Sequence, residues 1–118
     1  MAKELEDRGY DSFWVPEHSH LPVMRESQYP GGEDLPSGYA HMMDPFVSLA
    51  MASEATSTIK LATGICLVLE HEVLDLANTV ATLDALSGGR VVLGTVSYTH
   101  LRAHETPEHL VCRLLLEK

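Results

Sequence analysis

The chain has 118 residues, 45% of them hydrophobic and 21% charged, the size and composition of one soluble globular domain able to bury a core. Its 17 acidic residues against 8 basic ones give a formal net charge of −9, which argues against a phosphate-neutralising surface and excludes nucleic acid as an expected partner. No apolar run approaches the roughly 18 residues of a membrane span, and the charged opening MAKELEDRGY lacks the apolar core of a signal peptide. A cytoplasmic location without membrane contact is therefore expected, with Cys66 and Cys112 as reduced thiols.

In chain order, MAKELEDRGY reads as the end of a helix leading into a strand, which implies an earlier strand outside this sequence. DSFWVP, residues 11–16, is an aromatic and β-branched run stopped by Pro16 and is expected to form a buried strand. A long loop from Leu21 to Met43 follows, long enough for a substrate-facing lid or for a surface insertion. Asp44 then supplies a cap and Pro45 the first position of a helix over about 45–56, with Phe46, Leu49, Ala50 and Ser53 on one face. TIKLATGICLVL, residues 58–69, is almost uncharged and predicts a central parallel strand. Glu70 and Glu72 favour the start of a second helix, whose inward face carries Leu76, Val80, Leu83 and either Leu86 or Ser87. Gly88 and Gly89 end it by taking left-handed conformations, and RVVLG, residues 90–94, gives a third strand.

The alternation of strand and helix predicts right-handed parallel crossovers. The later two strand centres, Leu61 and Val92, lie 31 residues apart, close to the average unit of a (β/α)8 barrel of about 250 residues. Three strands cannot close a barrel, so the expected fold class is α/β, a truncated piece of a (β/α)8 TIM barrel with about three βα units. Composition breaks near Thr95. The whole net charge lies in residues 1–95, whereas residues 96–118 hold 3 acids and 3 bases and three of the seven histidines. Residues 1–95 are thus assigned to the barrel fragment and residues 96–118 to a non-native tail.

Glu17 and His18 directly follow the first strand, at the C-terminal end where barrel enzymes carry catalytic groups. A histidine there can exchange a proton near neutral pH, or it can be a hydrogen-bonded loop residue; Glu17 can act with it or only orient a neighbour. His20 reads as a loop residue. Gly64, Ile65 and Cys66 end the central strand, where a glycine permits a bulge or the close approach of a ligand to the backbone. Cys66 reads as a small buried apolar residue, not a nucleophile. Ser87-Gly88-Gly89-Arg90 follows a helix and precedes a strand, the wrong order for a phosphate loop; Arg90 is expected to pair with Asp84 or another acid. Metal binding finds no supporting spacing among Glu17, His18, His20 and His41, among Glu70, His71 and Glu72, or in HETPEH, where Pro107 interrupts the helical pair that zinc would need. No metal ligands are assigned.

Taken together, GYDSFWVPEHSHLP, YPGG, DPFVSLAMASEATSTIKLATGICLV and VATLDALSGGRVVLG resemble the luciferase-like monooxygenase family, and within it the oxidoreductases that use the deazaflavin coenzyme F-420. The resemblance covers residues 5–94. It implies a (β/α)8 barrel with a flavin-type ring at the C-terminal ends of the strands, hydride transfer to or from coenzyme F-420, and a small-molecule substrate. FMN with molecular oxygen is the alternative, a non-catalytic fragment the second alternative, and a homo-oligomeric parent an open option. His18, matching a residue beside the ring, is implied to be the catalytic acid or base, with Glu17 as its companion. Gly64, Ile65 and Cys66 are implied to back the cofactor, through a non-proline cis peptide in relatives. Thr95-Val96-Ser97-Tyr98 replaces the glycine-rich acidic turn that members carry, and Asn78 replaces a frequent lysine.

Overall fold

The computed structural model describes residues 1–19 and 37–95; His20, most of the long loop, Cys112 and the whole of 96–118 lie outside the described residues. Three strands joined by two helical crossovers are seen in the expected order. Helix α1 (Ala2–Asp7) precedes strand β1 (Ser12–Pro16), helix α2 (Pro45–Ala55), strand β2 (Lys60–Cys66), helix α3 (Val73–Ser87) and strand β3 (Val91–Thr95). The strands form one parallel sheet in the order β1-β2-β3, so β2 is central as expected. The predicted strand over 58–69 is shorter in the structure, because Val68–Glu70 turns into a short 3-10 segment ahead of α3.

Local chemistry accounts for the helix ends. The Asp44 carboxylate accepts the Val47 N–H at 2.9 Å, with Pro45 at the first helical position. Glu72 caps α3 by accepting from Leu74 and Asp75 N–H groups. Gly88 closes α3 with φ of 72° and Gly89 continues with φ of 80°, conformations that side-chain-bearing residues avoid. The helix faces depart from expectation at one position, and the open choice on α3 is decided. Ala52 replaces the exposed Ala50 on the inward face of α2, and Ser87, not the exposed Leu86, completes that of α3.

One core lies between the helices and one face of the sheet. Phe13, Leu61 and Val91 occupy matching register positions and pack with Leu49, Ile59, Leu76 and Leu83. Alternation sends Trp14, Ala62 and Val92 to the opposite face. Trp14, 51% exposed, donates its indole N–H to Ser12 Oγ at 2.8 Å. Gly94 lies so near β2 that an added Cβ would stand 2.3 Å from the Thr63 carbonyl oxygen. The Thr63 hydroxyl donates to the Gly94 carbonyl and accepts the Gly94 N–H, both at 3.0 Å, so this close approach joins the two strands.

The N-terminal end of the sheet is held by two charged side chains. Arg90 is buried, and its expected acid partner is corrected here: the guanidinium bonds instead to oxygens at the end of α2. It donates to the carbonyls of Ser53, Thr56 and Ile59 at 3.0–3.1 Å, to Thr56 Oγ1 at 2.9 Å and to the Ser87 carbonyl at 2.7 Å. The reason is that the last carbonyls of a helix lack intrahelical donors and carry its negative dipole end, so they compete well for a nearby cation. Asp84 accepts the Val91 N–H at 3.2 Å. On the other side of this end, the Glu6 carboxylate accepts the N–H groups of Ser57, Thr58 and Ile59 at 2.6–3.1 Å. These donors, Thr58 foremost, hold its carboxyl well below the usual carboxylate range.

Two outcomes follow for the stability of the chain. Arg90→Met leaves the carbonyls of Thr56 and Ile59 without that donor inside the core and should lower unfolding free energy by about 3 kcal/mol, read from urea denaturation. For Glu6, a carboxyl depressed in the folded state stabilises above its unfolded value of about 4.3 and loses that contribution as pH falls further. Glu6→Gln should therefore lower the urea midpoint at pH 7, and the gap between wild type and variant should narrow on acidification below pH of about 4.

Candidate functional site

The site is built at the opposite, C-terminal end of the sheet, and its form follows from one irregularity in β2. Val15 pairs with Thr63, but the next residue, Pro16, pairs with Ile65; on the other side Thr63 opposes Leu93, whereas Cys66 opposes Thr95. Gly64 is the extra residue, as the bulge reading of this glycine anticipated. Its place against β1 is close, with the Val15 carbonyl oxygen 3.5 Å from where a Cβ would stand.

Without the bulge, alternation would place Cys66 on the same face as Ala62. The added residue reverses this. Ile65 takes the register position opposite Pro16 and is 41% exposed, while Cys66 joins the core on the helix side and is fully buried. Among the described residues every peptide bond is trans, so the cis bond implied by the resemblance is not seen. The irregularity at this end of β2 is the bulge itself.

Glu17, the first residue after β1, is 5% exposed. A carboxylate so placed requires donors, and Glu17 has them. Oε2 accepts the Leu67 N–H at 2.7 Å, and Oε1 lies 2.6 Å from His71 Nε2. Cys66 Sγ completes the group: Glu17, Cys66 and His71 each offer a ligand-type atom within 4.8 Å of the others. Burial, with the Glu17 carboxylate beside it, pushes the Cys66 thiol up to about 12. The Phe46 and His71 rings meet in a T-shaped contact with centroids 6.0 Å apart.

The expected site residues are thus divided between two places. His18 is exposed, its ring meeting Tyr39 edge-on at 5.3 Å between centroids, and the Glu17 side chain makes no hydrogen bond to it. Glu17 does orient a histidine, but that histidine is His71, 54 positions away. Nearby, Ser19 Oγ lies 2.5 Å from Glu70 Oε2, a second tie between the β1 end and the segment before α3. Sequence reasoning treated His71 only as a member of a local acidic cluster. No local spacing could have revealed a partner half the chain away; the usable signal was that an acid immediately following a buried strand needs a donor.

An expected outcome concerns Cys66. In a chain carrying Cys112→Ser, the remaining thiol should react with a disulfide reagent at pH 8 no faster than the chain unfolds, because its thiolate is both buried and suppressed. Adding denaturant should bring immediate full labelling, measured by absorbance of the released thiol.

Comparison with known proteins places this geometry. The model of the luciferase-like monooxygenase family matches residues 1–105. An uncharacterised protein of Mycobacterium tuberculosis is 47% identical over 96 residues, covering 79% of this chain and 34% of that protein. The 4-hydroxyprotoasukamycin monooxygenase of Streptomyces nodosus subsp. asukaensis is 30% identical over 94 residues, covering 80% of this chain and 21% of that enzyme. Among solved structures, the coenzyme F-420-dependent tetrahydromethanopterin reductase of Methanopyrus kandleri superposes with a TM-score of 0.59 at 25% identity, over 83% of this chain and 23% of that one. The chain therefore spans about a third or less of the length of these relatives, and its three-stranded sheet corresponds to part of a TIM barrel. With the family model matched over most of its length, the chain belongs to the luciferase-like monooxygenase family.

Proposed function

We propose that the full-length protein is an oxidoreductase that moves hydride between a small-molecule substrate and a deazaflavin, coenzyme F-420. The observation that carries this reading is that the exposed His18 follows the C-terminal end of β1 at the same end of the sheet as the exposed bulge at Gly64-Ile65 in β2. Barrel enzymes assemble their sites at this end. The F-420-dependent reductase among the structural neighbours supports the cofactor class.

These residues fit a planar ring. Gly64 carries no side chain and Ile65 presents an apolar one, so together they offer a flat, uncharged surface. Cys66 lies behind them in the core and supports that surface without touching a ligand on its outer side. When bound, the deazaflavin supplies the hydride acceptor or donor. His18 gives or takes the substrate proton as hydride moves, a role that an exposed imidazole can fill as general acid or base. Glu17 serves as a positioning residue: it fixes the Leu67 backbone and His71, and through them the segment that follows the bulge.

The monooxygenase relative favours a second reading, in which FMN and molecular oxygen replace the deazaflavin. Residues 96–118 are proposed to be foreign to the barrel, and the chain alone to be inactive. In a chain extended to the full length of its relatives, titration with coenzyme F-420 and with FMN, followed by absorbance, separates the two cofactors. His18→Ala in that protein should reduce turnover about 100-fold while cofactor affinity changes only a few-fold. Turnover within a few-fold of wild type would remove His18 from the mechanism.

A further inference from the structure

On the helix side of β2, away from the Gly64-Ile65 surface, the structure holds a donor set whose part in the proposed oxidoreductase chemistry is only to support that surface. We infer that Glu17, Cys66 and His71 form a binding site for one borderline-soft divalent cation of the zinc type.

The three ligands come from three separate segments: the residue after β1, the last residue of β2 and the loop leading into α3. Their donor atoms lie within 4.8 Å of one another. A tetrahedral zinc ion, with bonds of about 2.0–2.3 Å, holds its ligand atoms about 3.5 Å apart, so side-chain rotation alone can close the set. The donor chemistry selects the metal. One sulfur, one imidazole nitrogen and one carboxylate oxygen suit zinc, whereas magnesium and calcium prefer oxygen throughout.

Burial and orientation point the same way. Cys66 is fully buried and Glu17 nearly so, while His71 is 26% exposed and gives a cation its entry. The Leu67 N–H holds Glu17 Oε2 at 2.7 Å, which fixes the carboxylate and leaves Oε1 turned to the cation position. Such outer contacts orient the ligands of metal sites. The 2.6 Å Glu17–His71 hydrogen bond already brings two of the three ligand groups together. On binding, Cys66 loses its S–H proton to solvent and its sulfur donates an electron pair to the metal; no electron is transferred. Three protein ligands leave a fourth position for water.

The metal would clip the end of β1 to the end of β2 and to the start of α3, bracing the bulge from beneath. This inference rests on the triad alone and stands whether or not the deazaflavin reading holds. The test uses the full 118-residue chain with Cys112→Ser, so that Cys66 is the sole thiol, titrated with cobalt(II) as the spectroscopic probe. One equivalent should bind with a thiolate-to-cobalt charge-transfer band and the intense visible bands of tetrahedral cobalt, and zinc should displace it. Cys66→Ser should abolish the charge-transfer band. His71→Gln, at the partly exposed position, should weaken binding at least about tenfold, the loss that even outer-shell changes produce. Circular dichroism checks that each variant keeps its helical signal; should Cys66→Ser fail to fold, His71→Gln decides. Absence of the band, its survival in Cys66→Ser, or unchanged affinity in His71→Gln would overturn the metal site and leave the triad as a hydrogen-bonded cluster.

Discussion

A carboxylate that enters the core at the end of a strand must be answered by donors, and Glu17 finds them in a segment about fifty positions further along the chain. Its two oxygens engage the Leu67 N–H and His71 Nε2. That requirement fixes the path of the chain after β2: the strand must end so that Leu67 presents its N–H to Glu17, and the 3-10 segment Val68–Glu70 must carry His71 back over it. The start of α3 follows directly, because Glu72 is its cap. The end of β1, the end of β2 and the beginning of α3 are therefore one connected unit, built around a single buried charge.

The two ends of the sheet are organised by different chemistry. At the N-terminal end, Arg90 and Glu6 are saturated by backbone groups, the first by helix-terminal carbonyls and the second by three successive N–H groups. Groups so completely engaged have no capacity left for a ligand, and their role is to lock α1, α2 and the strands together. At the C-terminal end the side chains are partly engaged: His18 is exposed and His71 retains access to solvent. This matches the division in barrel enzymes between a stabilising face and a reactive one.

Much of the fold was legible because its signals are local. The Asp44-Pro45 cap, the glycine pair after α3 and the nearly uncharged run of β2 each act within a few residues, and each element forms there, β2 over a shorter span than the run. The face of α2 was misread at Ala50, two residues before the buried Ala52, and on α3 the choice between Leu86 and Ser87 stayed open until packing decided for the smaller Ser87. Arg90 was assigned an acid partner because charge suggests countercharge; the structure satisfies it with the unpaired carbonyls of α2, which no residue type announces. The Glu6 contacts and the Glu17–His71 pair were illegible for a related reason. Both connect segments about fifty positions apart, and only the parallel crossover brings those segments together.

The bulge at Gly64 shows how one residue can serve both faces of a sheet. Strict alternation would put Gly64 and Cys66 on one face with Ala62, and Ile65 on the other with Thr63. Adding one residue at Gly64 moves Ile65 to the face opposite the helices and Cys66 to the helix side, beside Glu17. The outer surface thereby becomes apolar and uncharged, while the inner side acquires its sulfur ligand. Gly94 depends on the same region, since its neighbour across the sheet is the Thr63 carbonyl immediately before the bulge, and only a residue without a Cβ allows β3 that close. The sequence requirement at these two glycines is thus geometric, and it links the surface where a ring would rest to the buried triad behind it through three residues of one strand.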